Sequence, residues 1–281
     1  MQVLAPAKIN LSLKITGRRA DGFHEVETFI APISLADELI LEKNQSGQGI
    51  QFQCDDLSVP QGPENLVVRA AQAFLDRVSV SVDVRIELRK KIPHGAGLGG
   101  GSSDAASALL GLNALFETNL SREALSELGA TIGSDVPFFL FDSAALCRGR
   151  GELVSPEPWQ DRLPILLLKP EFGVATATAY ERWQESHEIP GISYAPQEFR
   201  GQRFANDLER PVFEKFLFLA KMKMWLLEQP EVGVALMSGS GSTMFAVLRD
   251  EADASALAER ARQELDPRLW WFACETGSVL K

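Results

Sequence analysis

Cysteine and histidine are scarce. Cys54, Cys147 and Cys274 lie far apart, as do His24, His94 and His187. With no CxxC and no HxxxH, neither a disulfide framework nor a thiolate or imidazole zinc site is expected, and a reducing compartment fits. Long apolar runs are also missing. The longest, around residues 136–141 and 164–168, fall far short of the roughly 20 residues that cross a bilayer. The opening MQVLAPAKIN lacks the charged-then-apolar pattern of a secretion signal, so a cytoplasmic protein is expected. Positive charge is in deficit: 28 Lys and Arg against 38 Asp and Glu give a net charge of -10. Duplex nucleic acid and anionic membranes are therefore repelled on average, although a local basic pocket still suits a small anion.

What remains is ordinary for a globular protein, with 45% hydrophobic and 23% charged residues among 281, enough to exclude wholesale disorder. At about 150 residues per domain this length suggests one large domain or two modest ones. Prolines at 156 and 158 suggest a boundary, giving domains 1–155 and 156–281. In the first, alternation predicts strands at 9–15, 25–33, 38–42, 50–54 and 82–88. Helices are expected at 65–77, with Asn65 as N-cap, at 105–115 behind polar capping residues, and at 121–130 behind Ser121. The second half reads as strand 164–169, helix 175–184, helix 212–228, strands 233–237 and 243–248, helix 251–265 and strand 269–273. With one helix set aside as an insertion, this is the β-α-β-β-α-β order of a ferredoxin-like layer.

The densest signal is Pro93-His94-Gly95-Ala96-Gly97-Leu98-Gly99-Gly100-Gly101-Ser102-Ser103. Five glycines in residues 95–101 let backbone N–H groups approach an anion, and the following helix aims its dipole at the same point. Phosphate binding is the favoured reading over a flexible turn. Gly95-x-Gly97-x-x-Gly100 matches the dinucleotide fingerprint, but the acidic residue at the right distance, Glu117, closes a helix instead of a strand. No lysine follows the glycines, so this is not a GxxxxGK[ST] loop either, and cationic help must come from a lysine elsewhere or from magnesium.

Lys8 and Asn10, two apart on a strand, share one face. That suits a polar cleft or, failing that, a solvent-facing edge. Asp135, in Gly133-Ser134-Asp135-Val136-Pro137, suits either a helix cap or a proton acceptor for an alcohol. The loop 238–243 reads equally as a small-residue hairpin or as a ligand loop. Lys215, Lys221 and Lys223 read as a solvated helix face.

PAKIN at 6–10, DGFHE at 21–25, IPHGAGLGGGSSDAA at 92–106, GSDVPFF at 133–139, NDLE at 206–209 and MSGSGSTMFAV at 237–247 occur in this order. Together the chain resembles the galactokinase–homoserine kinase–mevalonate kinase–phosphomevalonate kinase (GHMP) superfamily over about residues 5 to 247. Within it the match is nearest to the kinases of a cytidine-diphosphate-linked methylerythritol.

The resemblance implies a two-domain α+β fold: a β-rich N-terminal domain bearing the glycine-rich phosphate loop and a ferredoxin-like C-terminal domain. It implies ATP and Mg2+ as cofactors and phosphorylation of the substrate's 2-hydroxyl in non-mevalonate isoprenoid synthesis. Asp135 would be the general base with Lys8 beside it, and Asn10 would contact the transferring phosphate. Residues 93–103 would cradle the ATP phosphates, and Asn65, Leu66 and Lys90 would border adenine. Phe23 and His24 would hold cytosine by stacking and hydrogen bonding, and Thr176 would face the substrate. Phe23 departs from the tyrosine more usual there. Rival readings are a kinase for homoserine or a mevalonate-type acid, a non-catalytic nucleotide-binding module and a dinucleotide oxidoreductase.

Overall fold

The computed structural model describes residues 1–44, 47, 49–79, 82–159, 161–249 and 253–277. Apolar–polar alternation carries two long antiparallel strands, β1 (Gln2–Arg18) and β2 (His24–Asn44). The short strand expected at 9–15 and the separate pieces at 25–33 and 38–42 are parts of these two. The apparent break in β2 is a bulge: the register jumps from Pro6 opposite Ala36 to Ala7 opposite Ile33, so the strand bends without ending.

Then come β3 (Ile50–Cys54), α1 (Leu66–Val78), β4 (Asp83–Arg89), α2 (Gly100–Leu115), α3 (Arg122–Ile132), a 3-10 turn at Pro137–Leu140, β5 (Ala145–Arg148) and β6 (Leu153–Pro156). Asn65 and Ser121 cap α1 and α3 as the sequence suggests. Helix α2 differs. It begins at Gly100, not behind the serines, and its N-cap is Gly99 with no side-chain cap. Helices α1–α3 cover one face of the first sheet, and Leu39, Leu41, Phe74, Ile86, Leu109 and Phe138 belong to the core between them.

The second part contains β7 (Pro164–Lys169), α4 (Thr176–Glu181), β8 (Gln197–Phe199), β9 (Gln202–Asn206), α5 (Glu209–Lys215), α6 (Leu217–Leu227), β10 (Val232–Met237), β11 (Met244–Leu248), α7 (Ala254–Glu264) and β12 (Trp270–Glu275). Of the helix expected at 251–265, residues 251 and 252 lie outside the described residues. Strands order as β10-β11-β7-β12, all antiparallel, the layout of a ferredoxin-like layer. The helix expected at 212–228 is two helices, because Phe216 leaves helical geometry (φ -125, ψ 70) and stacks on Phe172 with centroids 5.2 Å apart.

The β8–β9 hairpin, invisible to the sequence reading, crosses back to the first sheet, which runs β3-β4-β2-β1-β9-β8. There β9 pairs parallel with Ser12 and Leu13 of β1. A core cluster that includes Ile9, Leu11, Ile165, Leu167, Phe204 and Phe245 joins the two sheets. The fold is thus two-domain α+β, with a cleft walled by both parts.

Candidate active site

The glycine loop is shaped by what presses on it. Gly97 and Gly99 hold φ of +75 and +71, a region that penalises a side chain. Space forbids one as well. A Cβ on Gly97 would lie 2.2 Å from the Ser238 carbonyl oxygen, and one on Gly99 would lie 2.8 Å from Phe139 Cζ and 3.0 Å from Lys8 Cγ. Because Gly99 caps α2 without a side chain, the first helical bond is Ser103 N–H to the Gly99 carbonyl, 2.9 Å. The N–H groups of residues 100–102 therefore have no partner within the helix, and with the dipole they form an anion seat.

Strand β1 brings Lys8 to this seat. Its N–H donates to the Leu98 carbonyl at 3.0 Å, tying strand to loop. The period-2 face is realised directly: Lys8 Nζ donates to Asn10 Oδ1 at 2.6 Å. Asn10 Nδ2 donates to Thr28 Oγ1 at 2.8 Å, and that hydroxyl donates to the Ser12 carbonyl at 2.7 Å. Lys8 Nζ lies 3.8 Å from Asp135 Oδ2. Burial pulls the Lys8 ammonium below the usual lysine range while Asp135 pushes it back up. The neighbouring Cys147 thiol is pushed up to about 12, by burial first and by Asp135 second, so it stays protonated and offers no rival nucleophile.

Asp135 does not cap the 3-10 turn. Val136 holds the N-cap position with no side-chain bond. Among the described residues Asp135 has no hydrogen bond, only the ion pair with Lys8, and its side chain is 39% exposed. The carboxylate is free to meet a ligand.

The loop 238–243 is both a hairpin connection, between β10 and β11, and a wall of the site. Ser238 Oγ donates to the Gly97 carbonyl at 2.9 Å, and a Cβ on Gly239 would lie 3.3 Å from Lys8 Nζ. Asn206 holds it from behind, its Nδ2 donating to the carbonyls of Met237 and Gly239 at 2.8 and 2.7 Å. Glu209 accepts from Met237 N–H at 2.9 Å and pairs with Lys223. Lys223 is thus 1% exposed, which corrects the reading of it as part of a solvated face: a buried carboxylate one helix away demands a cation. The NDLE motif is a brace for this loop. Thr176 Oγ1 lies 2.8 Å from Ser240 Oγ, linking α4 to it.

These segments enclose a cavity of about 770 Å3. Lys8, Asn10, Phe23, His24, Asn65, Leu66, Lys90, Asp135, Thr176 and residues 93–102 all line it. Ser103 does not. It points inward from the first turn of α2, fully buried with an unpartnered hydroxyl.

A family model of the GHMP kinases N terminal domain matches residues 65–143, and one of the GHMP kinases C terminal matches 197–266. Over 272 residues the chain is 42% identical to 4-diphosphocytidyl-2-C-methyl-D-erythritol kinase of Methylacidiphilum infernorum (isolate V4), covering 95% of this chain and 93% of that one. The chain belongs to this family of GHMP kinases. A crystal structure of 4-(cytidine 5'-diphospho)-2C-methyl-D-erythritol kinase superposes with a TM-score of 0.80 at 38% identity, covering 99% of this chain and all of the other. Homoserine kinase from Cytophaga hutchinsonii shares the fold, with a TM-score of 0.71 at 17% identity, 99% of this chain and 94% of that one covered.

Within this GHMP kinase the residues expected beside adenine are partly committed elsewhere. Asn65 spends its amide on the N-cap bond to Val67 N–H and on the Pro60 carbonyl. Lys90 Nζ is held between Asp37 and Asp104, 2.8 Å from the latter. At the other end Phe23 is 52% exposed, with the Arg150 guanidinium 4.9 Å over its ring. His24 packs against Tyr180 with centroids 5.4 Å apart and edge-on to Trp183 at 6.2 Å. Burial, then Arg18, pulls its imidazole below the usual histidine range, so at neutral pH it is uncharged and able both to donate and to accept. The sequence reading missed Tyr180 and Arg150, both on the cavity wall, whereas Ser240, also on the wall, lies in the 238–243 loop that it left open as a ligand loop. Only Tyr180 had a signal, since it follows Thr176 by one helical turn in α4.

Proposed function

We propose that this chain transfers the γ-phosphoryl group of ATP to the 2-hydroxyl of 4-diphosphocytidyl-2-C-methyl-D-erythritol, in the non-mevalonate route to isoprenoid precursors. The observation that carries this is the Lys8–Asp135 pair, 3.8 Å apart, in one cavity with the uncapped N-terminus of α2. Phosphoryl transfer asks a protein chiefly for positioning and charge neutralisation. The N–H groups of residues 100–102 and the glycine loop hold the ATP phosphates. Asp135, an acceptor with no structural bond to lose, takes the hydroxyl proton. Lys8, aimed by Asn10, steadies the charge on the moving phosphoryl oxygens.

Mg2+ fits as an ion carried by the nucleotide. No group of three or more acidic, histidine or cysteine side chains able to hold a metal occurs among the described residues, and magnesium commonly relies on phosphates, waters and one or two protein oxygens. The Ser102 hydroxyl on the cavity wall and the Asp135 carboxylate are the groups that would meet it. Bound there, it would supply charge neutralisation for the nucleotide phosphates.

The division of labour follows residues 1–155 for nucleotide and base and 156–281 for the closing wall, with Thr176 facing the substrate from the latter. The proposed partner is this small cytidylated alcohol, and the proposed location is the cytoplasm. No helix among the described residues is long and apolar enough to cross a membrane, and the net charge of -10 disfavours nucleic acid.

The test is ADP release with the cytidylated methylerythritol, homoserine and mevalonate in parallel, with CMP as competitor. Turnover with the first alone, inhibited by CMP, is the expected result. Equal or greater turnover with homoserine or mevalonate, or ATP binding with no ADP release from any of them, overturns the reading.

A further inference from the structure

We propose that Arg150 is a specificity-determining residue whose guanidinium takes the diphosphate of a nucleoside-diphosphate-linked substrate. This rests on the reading above, which puts the reacting alcohol at Asp135 and the pyrimidine at Phe23. Three lysine or arginine residues line the cavity among the described residues: Lys8, Lys90 and Arg150. Two are committed. Lys8, beside Asp135 at the reacting end, is given to the moving phosphoryl group, and Lys90 is locked between two carboxylates. Arg150 differs, because among the described residues its guanidinium makes no hydrogen bond. Its ion pair is with Glu152, 3.6 Å from Nε, the Asp21 carboxylate also lies within its electrostatic reach, and its side chain is 29% exposed.

Its position is fixed from the backbone. The turn between β5 and β6 is pinned to β2, with Gly149 N–H donating to Glu25 Oε1 at 3.1 Å and Val26 N–H donating to the Gly149 carbonyl at 2.8 Å. The next residue, Gly151, abuts the catalytic carboxylate so closely that a Cβ there would lie 3.5 Å from Asp135 Oδ1. The main chain of Arg150 thus starts beside Asp135, and its side chain ends 4.9 Å over the Phe23 ring. It bridges the reacting end and the aromatic end of the cavity.

A substrate with its alcohol at one point and its base at the other must lay its diphosphate along that bridge. The helix α2 seat is already spent on the ATP phosphates, so a second polyanion needs a second cation. A planar guanidinium with unspent donors is the side chain best matched to phosphate oxygens. The stack with Phe23 holds it there before the ligand arrives and leaves the opposite ring face for the base.

The experiment compares CDP with cytidine as ligands of the whole chain, by titration calorimetry with the ATP site filled by a non-hydrolysable ATP analogue. Arg150→Met keeps an unbranched apolar stem over Phe23 and removes the charge. Wild-type protein is expected to hold CDP at least about tenfold tighter than cytidine, and Arg150→Met to shrink that ratio to about threefold or less. In turnover, KM for the cytidylated substrate should rise about tenfold while KM for ATP moves less than about twofold. Arg150→Lys should recover part of the CDP preference. If Arg150→Met keeps the full preference, or weakens CDP and cytidine equally, the residue serves only the ring and the proposal fails while the kinase reading stands. If wild-type protein binds neither ligand and releases no ADP with the cytidylated alcohol, both fall together.

Discussion

Lys8 and Lys90 line the same cavity, yet their surroundings are opposites. Lys8 meets one carboxylate, the 39% exposed Asp135 at 3.8 Å, and one neutral amide. Burial leaves its pKa below the ordinary lysine value. Lys90 is also pushed down by burial, but Asp104 and Asp37 together outweigh that and leave its pKa above the ordinary value. Both carboxylates are buried, and Asp37 also accepts from the backbone N–H groups of Lys91 and Ile92, the latter at 2.8 Å. One ammonium therefore keeps charge to offer a ligand, and the other has its charge cancelled by the scaffold. Proximity to a cavity does not by itself make a cation part of the chemistry. What decides is how much of its charge is already neutralised.

The largest expected effect breaks the Lys8 side. Asp135→Asn should lower kcat by about 10^2–10^4, with the melting temperature close to that of the unaltered chain because among the described residues Asp135 makes no hydrogen bond and does not cap the 3-10 turn. Lys8→Met should likewise lower kcat by more than it changes stability. If Asp135→Asn keeps most of its turnover in steady-state ADP release, the transfer centre has been misplaced. Lys90→Met should show the reverse pattern. Removing the cation strands the buried Asp37 carboxylate and takes from Asp104 its one cationic partner, and the expected cost is about 3–5 kcal/mol in denaturant unfolding. A Lys90 variant that unfolds normally but loses turnover would erase the contrast between the two lysines.

A smaller effect is carried by pH. Burial pushes the Asp104 carboxyl up to about 8 against the pull of Lys90, with the charge of Asp37 adding to the rise. For an acid whose folded pKa exceeds its unfolded value, the favourable contribution is complete below the unfolded value and is lost as pH climbs to the folded one. Stability from this group should therefore decline between about pH 4 and about pH 8. Asp104→Asn removes the titration, so its melting temperature should gain on that of the unaltered chain as pH rises through this window. Parallel melting curves at every pH would show that the triad holds no raised carboxyl.

Much of this contrast lay beyond the sequence. The glycine loop was legible because anion seats are built from local backbone, and five closely spaced glycines have few other uses. The Lys8–Asn10 face was legible because a strand alternates with period 2. Asp135 was ambiguous, since a cap and a base differ only in what surrounds the carboxylate after folding. Lys223 was misread because Glu209, its partner, is 14 residues away and nothing local signals burial. The β8–β9 crossing depends on pairing with Ser12 and Leu13, nearly 200 residues earlier. Phe216 breaks its helix where its ring stacks on Phe172, a residue 44 positions earlier that no local pattern announces. The neutralisation of Lys90 likewise needs Asp37, 53 positions away.

The smallest expected effect tests whether Lys8 is merely charged or also aimed. Its only hydrogen-bond acceptor among the described side chains is Asn10 Oδ1, and Asn10 is in turn fixed by Thr28 Oγ1, which donates onward to Ser12. Thr28→Val preserves shape, removes the hydroxyl and leaves the Asn10 amide free to rotate. One net hydrogen bond is worth about 0.5–1.5 kcal/mol, so kcat should fall about twofold to tenfold if that bond holds Lys8 in line. Thr28→Ser, which keeps the hydroxyl, should recover most of the loss in the same assay. No equivalent chain of neutral groups leads to Lys90 among the described residues, whose ammonium is fixed by ion pairs directly. If Thr28→Val leaves kcat unchanged, Lys8 acts through its charge alone, and the two lysines differ in neutralisation but not in orientation.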